Sequence, residues 1–206
     1  DTPVFLADEL DEFLDVRPDV AAFLGIDGFA AYFKREMLRC HDFGPNVFPL
    51  PFAYAEQREI QGPGGPREHP FFWAGHRNFS LRRVYLERIE AMMGQSFSQN
   101  YAPKEYARML RTSRIGLNCF GLGFDTVRYW ELPAHGAMLL SERLPIHVPH
   151  NFVDGESAVF FDTVQDLEEK LAHYLAHPEE SAAIAAAGHA HFKRYHTSGA
   201  RARQLL

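Results

Sequence analysis

The sequence has no long apolar run, few cysteines and no excess of positive charge, and each absence excludes a class of protein. No apolar run reaches the roughly 18 residues that a membrane-spanning helix needs, and no basic stretch followed by an apolar one marks a secretory leader. The two cysteines, Cys40 and Cys119, fit neither a disulfide framework nor a zinc-finger spacing. With 21 basic and 27 acidic residues, the formal charge of −6 argues against a general nucleic-acid-binding protein. We therefore expect a cytoplasmic protein in a reducing compartment, with no transmembrane segment and no nucleic-acid partner.

What the sequence does contain is the composition of a globular protein, with 46% hydrophobic, 14% aromatic and 23% charged residues. Its 206 residues suffice for one well-packed domain and part of another. Because the chain begins at Asp1 rather than at Met, we expect a fragment of a longer protein. Glycine and proline fill most of residues 61–66, which predicts a linker at 62–66 between a first segment, 1–61, and a domain of residues 67–206.

The first segment has an irregular pattern. The apolar run 4–7 is typical of a buried strand, and helical patterns cover residues 9–14 and 28–38. Residues 47–52 are predicted to be extended, because each proline there keeps the preceding residue out of the helical region. We interpret residues 1–61 as the end of an incomplete amino-terminal domain.

Beyond the linker, strand and helix patterns alternate. Apolar runs at 70–75, 115–120, 137–140 and 158–161 predict buried strands, and residues 96–99 a weaker one. Helical periodicity begins near residues 81, 103, 126, 164 and 179, and Thr163 and Asp166 have the spacing of a capping box. The alternation predicts an α/β fold class, a Rossmann-like parallel sheet with helices on both faces. Ligands of such sheets bind at the carboxyl ends of the strands.

Basic residues follow the first of these predicted strands. Gly75 and Arg77 come directly after it, and Arg82 and Arg83 begin the next helix. A glycine allows a ligand to approach the backbone, and arginines at a helix start suit a diphosphate. For Arg83, a solvated helix face is the better interpretation.

A glycine loop and an acidic helix follow the strand at 115–120. Gly121 and Gly123 could expose backbone amides at the start of a helix, but a plain tight turn would look the same, and the dinucleotide fingerprint is absent. Glu131 lies three residues after Arg128, on the same helix face. It could accept the hydroxyl protons of a ribose or simply pair with Arg128.

Eleven histidines raise the question of a metal ion. His173 and His177 are four residues apart and could ligate zinc, but no glutamate follows His173 as an HExxH motif requires. Surface histidines on amphipathic helices are the simpler interpretation. The sequence also has no GxSxG nucleophile elbow and no Walker lysine. The pattern therefore predicts no metal site and identifies no catalytic residue.

The second half of the chain resembles a known family. The segments YARMLRTSRIGLNCFGLGFDTVRYWELPAHGAMLLSE, FVDGESAVFFDTVQDLEEKLAHYL and HPEESAAIAAAGHAHFKRYHTSGAR are similar to the carboxyl-terminal domain of group 1 glycosyltransferases. Within that family they resemble the branch grouped with the spore maturation protein CgeB. AYFKRE and VFPLPFA are similar to the end of the amino-terminal domain in the same relatives.

The resemblance implies a bacterial GT-B enzyme, in which two Rossmann-like domains form the active site. Residues 67–206 would bind a nucleotide-diphosphate sugar, and residues 1–61 would belong to the acceptor-side domain. The donor is a co-substrate, so no cofactor is implied. No metal is implied either, because basic side chains and a helix N-terminus neutralise the leaving diphosphate. Glu131 matches the glutamate that binds the ribose, and the residues expected to bind the donor are Glu131, Arg77, Arg82, Gly121, Gly123, Asp125, Thr126 and Arg128.

Two departures from the family pattern leave a second hypothesis open. Gly123 stands where many relatives carry a first glutamate that contacts the donor sugar, although Asp125 could substitute for it. A shortened amino-terminal domain would also lack most of an acceptor site and any catalytic base. The alternative to a glycosyltransferase is therefore a non-catalytic module that keeps the fold for nucleotide-sugar binding or protein contact. The acceptor, a glycan, a protein or a small molecule, is not identified by the sequence.

Overall fold

The computed structural model describes residues 2–55, 66–79, 81–97 and 100–204. The chain divides into two compact units. The first consists of Asp1–Phe52, Leu122–Asp125 and Leu144–Asn151, and the second of Ala53–Gly121, Thr126–Arg143 and Phe152–Leu206. The predicted linker at 62–66 lies outside the described residues except for Pro66, so the predicted domain boundaries remain a prediction.

The first unit is built on a three-stranded parallel sheet. Its elements are β1 (Phe5–Asp8), α1 (Arg17–Leu24), β2 (Ala31–Lys34) and β3 (Val47–Pro49), and the strand order is β1-β2-β3. At the end of β2, the buried Lys34 ammonium donates to the Asp8 carboxylate of β1 over 2.7 Å. A buried charge pair of this kind fixes the register of the two strands, because a shift would leave both charges unpaired.

The helical patterns in this unit were misleading. Residues 31–34 form the central strand rather than part of a helix, because β1 and β3 satisfy the backbone hydrogen bonds of β2 on both sides. Residues 9–14 also contain no helix. The helix of this unit begins instead at Arg17, with a proline in its first turn, and ends at Gly25, whose φ of 65° glycine adopts without strain.

The second unit contains a four-stranded parallel sheet of order β4-β5-β6-β7. The strands are β4 (His69–Phe72), β5 (Ser113–Asn118), β6 (Met138–Glu142) and β7 (Val159–Phe161). The helices are α2 (Arg82–Met93), α3 (Pro103–Thr112), α4 (Val127–Ala134), α5 (Val164–Ala176), α6 (Pro178–Tyr195) and α7 (Ser198–Arg203). Ser96 and Phe97 lie outside any strand, and the rest of the weak strand predicted there falls on residues that the structure does not describe.

Helices cover both faces of this sheet, as the sequence predicts. Successive residues of β5 point to opposite faces. Ile115 and Leu117 belong to the buried cluster that also contains side chains of α2 and α5. On the other face, a Cβ at Gly116 would overlap the Leu132 side chain of α4. The fold class is therefore α/β, a parallel sheet with helices on both sides.

The capping box at the start of α5 is also confirmed. The Thr163 hydroxyl accepts a hydrogen bond from Asp166 N over 3.1 Å and so satisfies one of the free amides of the first turn. Among the described helices, none combines the length and the apolar character needed to cross a membrane.

One close approach in this unit yields a test of the packing. Gly188 lies inside α6, and a Cβ there would overlap the backbone carbonyl oxygen of Ser157. Helix propensity alone predicts that Gly188→Ala stabilises the protein by about 1 kcal/mol. We expect the overlap to prevail, so that Gly188→Ala lowers the free energy of unfolding by about 1–3 kcal/mol in urea titrations followed by tryptophan fluorescence.

The neighbouring Ala187 provides the control, because it is exposed on the same helix. Ala187→Gly should cost only the propensity difference of about 1 kcal/mol. A Gly188→Ala variant that is more stable than the wild type would contradict the close contact.

Candidate functional site

The carboxyl ends of β4 and β5 are joined by one buried arginine. Arg82, at the start of α2, is 7% exposed. Its Nη1 donates to the carbonyl oxygen of His76 over 3.1 Å, and its Nη2 donates to that of Cys119 over 2.9 Å. The Nε of Arg82 is buried and has no hydrogen-bond partner among the described residues. One N–H of a buried cation is thus left without an acceptor, and such groups are rare in folded proteins.

A second arginine lies at the same edge of the sheet. Arg128, in the first turn of α4, places its guanidinium 6.0 Å from the centre of the Trp73 ring. The Nη2 atom of Arg128 lies 3.2 Å from where a Cβ at Gly75 would be, and φ at Gly75 is 134°. The Nε of Arg128 is also buried without a partner in the described part of the chain. Burial and the positive charge of Arg128 lower the pKa of Arg82.

Gly121 and Thr126 complete this arginine cluster, which consists of Arg82, Arg128, Gly75, Gly121 and Thr126. A Cβ at Gly121 would lie 3.1 Å from Arg82 Nη2 and 3.7 Å from Thr126 Cγ2. The Thr126 hydroxyl donates to the side-chain oxygen of Asn118 over 2.5 Å, which fixes the residue that precedes α4. The cluster thus combines two guanidinium groups, two positions without a side chain and a helix N-terminus, a set that suits an anion.

Glu131 lies one helical turn beyond Arg128. It is 8% exposed, and its Oε2 accepts a hydrogen bond from the Tyr106 hydroxyl of α3 over 2.6 Å. Burial raises the pKa of Tyr106 well above its ordinary value, so this hydroxyl remains a donor at neutral pH. The partner of Glu131 in the structure is thus a tyrosine, whereas the sequence also allowed a pair with Arg128.

A groove of about 510 Å³ opens beside Glu131. Its walls come from α3, α4 and the segment before β4, and its lining residues are Tyr54, Tyr101, Pro103, Tyr106, Ala107, Leu110, Arg111, Glu131 and His135. Aliphatic side chains and the rings of three tyrosines form most of this lining, and one buried carboxylate is among its few polar groups. A mostly apolar lining with a few polar atoms is typical of pockets for small molecules. At its far end, His135 Nε2 lies 3.1 Å from the Tyr54 hydroxyl.

The other three predicted donor residues are Arg77, which has a carboxylate partner, and Gly123 and Asp125, which belong to the first unit. Arg77 makes two hydrogen bonds to Glu90 of α2, of 2.8 Å and 2.5 Å, so its guanidinium already has a carboxylate partner. Gly123 and Asp125 belong to the first unit. The Asp125 carboxylate there accepts a hydrogen bond from Phe52 N over 2.5 Å.

Gly123 lies against two carboxylates of the first unit. A Cβ at this position would overlap the carboxylates of Glu36 and Asp11. Glu36, which is 1% exposed, accepts hydrogen bonds from Phe124 N over 3.1 Å and from Asp125 N over 3.0 Å. Burial raises the pKa of Glu36 above its ordinary value.

Sequence reasoning missed Tyr106 and Glu36. Tyr106 shares one face of α3 with Met109 and Leu110 by helical spacing, but this spacing does not tell which polar atom its hydroxyl reaches. Glu36 lies in the stretch that the sequence predicted to be helical, and no spacing connects it to residues 124–125, which are far away in the chain.

Comparison with known proteins gives a family match. A family model described as glycosyl transferase-like matches residues 59–206. None of the curated proteins compared with the chain by sequence matches it significantly.

Solved glycosyltransferase structures share the fold. Alr3699/HepE of Anabaena, in complex with UDP, superposes with a TM-score of 0.68 at 8% identity, and the alignment covers 98% of this chain and 71% of that one. For the sucrose-phosphate synthase of Thermosynechococcus elongatus the TM-score is 0.58 at 10% identity, with 98% and 56% covered. For TarM the TM-score is 0.56 at 7% identity, with 91% and 52% covered. The α/β fold therefore matches that of GT-B glycosyltransferases, and the chain spans about half the length of TarM.

The wall of the groove generates a pH-dependent prediction. Burial and the nearby charges of Arg111 and Arg67 lower the pKa of His135 from 6.5 to about 4. Between pH 6.5 and pH 4, His135 is therefore protonated in the unfolded chain but neutral in the folded chain. The free energy of unfolding decreases as the pH falls through this range. Between pH 7 and pH 5, we expect this histidine alone to remove about 2 kcal/mol from the free energy of unfolding.

The test compares the wild type with His135→Gln in urea titrations at both pH values. Trp73 and Trp130 both lie in the second unit, so tryptophan fluorescence reports the unfolding of that unit. His135→Gln should lose about 2 kcal/mol less than the wild type on acidification. The exposed His76 of the same unit provides the control, and His76→Gln should behave as the wild type. An identical loss in all three proteins would show that His135 titrates normally.

Proposed function

Because the chain belongs to the glycosyl transferase-like family, we propose that it binds a nucleotide-diphosphate sugar and takes part in the transfer of the sugar to an acceptor. The observation that carries this proposal is the arginine cluster. Two guanidinium groups lie at the same edge of a parallel sheet beside two glycines, and the Nε of each is buried without a hydrogen-bond partner among the described residues. Ligands of such sheets bind at this edge.

The diphosphate is the part of the donor that the cluster would bind. Burial and the positive charge of Arg128 disfavour the protonated form of Arg82, and an anion between the two groups would reverse this effect. Gly75 and Gly121 would allow phosphate oxygens to approach the guanidinium groups without meeting a side chain. When the sugar leaves, negative charge builds on the diphosphate, and fixed arginines would stabilise it most at that point.

We assign the ribose to Glu131. The Tyr106 hydroxyl holds Oε2 of this carboxylate, which leaves Oε1 to accept the hydroxyl protons of a ribose. The nucleoside would then extend along the groove beside Glu131, whose tyrosines offer aromatic surface to a base.

UDP is the nucleotide that we propose for this chain. The similar structure of Anabaena Alr3699/HepE contains UDP. A transfer that needs no metal ion is also part of the proposal, because two arginines and the N-terminus of α4 supply positive charge at the diphosphate. The CgeB-like branch, a bacterial origin and a cytoplasmic location are further parts of it.

In this proposal Arg128, rather than Arg77, is the partner of Arg82. The two hydrogen bonds between Arg77 and Glu90 would have to break before Arg77 could bind a phosphate. For Gly123 and Asp125, contact with the donor sugar remains a prediction from the family resemblance.

A non-catalytic nucleotide-sugar-binding module remains the second candidate. The observation in its favour is Gly123, where many members of the resembled family carry a glutamate. A Cβ at this position would overlap the Glu36 and Asp11 carboxylates, so a side chain there would require those groups to move. The chain would then bind the donor with the same residues but transfer no sugar.

The diphosphate assignment is tested by calorimetric titration with UDP, GDP, TDP and ADP. Arg128→Gln removes one charged donor group, and we expect UDP to bind about 10- to 100-fold more weakly. Arg83→Gln is the matched control, since Arg83 is exposed and pairs only loosely with Glu87 at 3.6 Å. Its affinity should stay within about twofold of the wild type. Equal affinities of the two variants would contradict the arginine cluster as the diphosphate site.

The ribose assignment is tested with a pair of ligands. If Glu131 accepts the ribose hydroxyl protons, the wild type should bind UDP about tenfold more tightly than 2′-deoxyuridine diphosphate. Glu131→Ala should lose this preference, whereas Glu105→Ala, at a half-buried position of α3 outside the groove lining, should keep it. A Glu131→Ala variant that still discriminates between the two ligands would remove Glu131 from the ribose site.

A further inference from the structure

Two histidines and a glutamate meet where α5 ends and α6 begins. His173 lies in the last turn of α5, His177 lies between the two helices, and Glu180 lies in the first turn of α6. Each residue offers one potential ligand atom, and these three atoms lie within 4.8 Å of one another. The helical spacing of the two histidines is visible in the sequence. Their proximity to Glu180 is not, because Glu180 lies on a new helix that begins at Pro178.

Hydrogen bonds already orient one imidazole for coordination. Nδ1 of His177 lies 2.8 Å from the backbone carbonyl oxygen of His173. A carbonyl oxygen only accepts hydrogen bonds, so Nδ1 carries the proton and the lone pair of the neutral ring is on Nε2. Histidines that bind metal ions show this same arrangement, in which the other ring nitrogen donates to a carbonyl or carboxylate.

The other two side chains are also close together. Nε2 of His173 lies 2.9 Å from Oε2 of Glu180, and the two imidazole rings stack with their centres 4.3 Å apart. In a tetrahedral zinc site with bonds of about 2.0–2.2 Å, neighbouring ligand atoms are roughly 3.3–3.6 Å apart. Nε2 of His173 donates to the Glu180 carboxylate, so coordination through Nε2 would replace that hydrogen bond and leave the ring proton on Nδ1. His173 and Glu180 are 46% and 50% exposed, so an ion can enter directly from solvent.

We propose that His173, His177 and Glu180 bind a divalent transition-metal ion at the junction of α5 and α6. Two imidazoles and one carboxylate are donors that Zn²⁺ prefers, and water would complete the coordination. The bound ion would connect the two helices and stabilise the folded second unit, because it binds the folded chain only. This site makes no use of the residues proposed to bind the nucleotide.

The experiment is a competition for Zn²⁺ between the full chain and a chromophoric chelator. The wild type should bind one Zn²⁺ ion per chain, and His177→Ala and Glu180→Gln should each bind it at least about tenfold more weakly. Glu180→Gln keeps the shape of an exposed side chain, so its effect does not depend on a folding defect. Excess Mg²⁺ should not compete, because Mg²⁺ prefers oxygen ligands.

His147→Ala is the control for the other histidines of the chain, because His147 is exposed and lies outside this group. It should bind Zn²⁺ as the wild type does. Zn²⁺ should also raise the unfolding temperature of the wild type and of His147→Ala but not that of Glu180→Gln. The proposal is wrong if the wild type binds no stoichiometric Zn²⁺, or if Glu180→Gln and His177→Ala bind it as tightly as His147→Ala.

Discussion

The buried guanidinium of Arg82 connects the carboxyl ends of two neighbouring strands in the second unit. Neighbouring parallel strands leave carbonyl groups at the same edge of the sheet, and Arg82 donates to the carbonyls of His76 and Cys119, which follow β4 and β5. Burial and Arg128 lower the pKa of Arg82, while Glu142 acts in the opposite direction. Removing a cation from water is costly unless its N–H groups are satisfied. The two carbonyls satisfy Nη1 and Nη2, whereas Nε has no hydrogen-bond partner among the described residues.

At this edge of the sheet, each of the two arginines lies directly against a glycine. Gly75 lies next to Arg128 and Gly121 lies next to Arg82, each at a distance where a Cβ would be in tight contact with a guanidinium nitrogen. A larger residue at either position would place its Cβ directly against a guanidinium nitrogen. The side chain would then occupy the place next to the charged group. The two guanidinium groups thus lie at one edge of the sheet, each next to a position that has no side chain.

The sequence predicted the second unit far better than the first. The apolar run 115–120 lies between two segments with helical periodicity, and the first of these helices begins at Pro103, so local signals and the parallel sheet agree there. In the first unit, β2 is a strand only because it pairs on both sides, which periodicity within 28–38 does not reveal. Arg82 and Arg128 could be chosen from their positions after strands. The partner of Glu131, Tyr106, could not, because a hydroxyl contact between two helices leaves no mark in the spacing of residues.

The glycine at position 123 is explained by packing within the first unit. Glu36 accepts hydrogen bonds from the backbone amides of Phe124 and Asp125, and its carboxylate lies where a side chain at position 123 would begin. A glutamate there would both overlap Glu36 and add a like charge beside two existing carboxylates, and like charges at this distance repel one another. Gly123 and Glu36 therefore require each other. The departure from the family pattern follows from this local arrangement, and neither the arginine cluster nor Glu131 uses position 123.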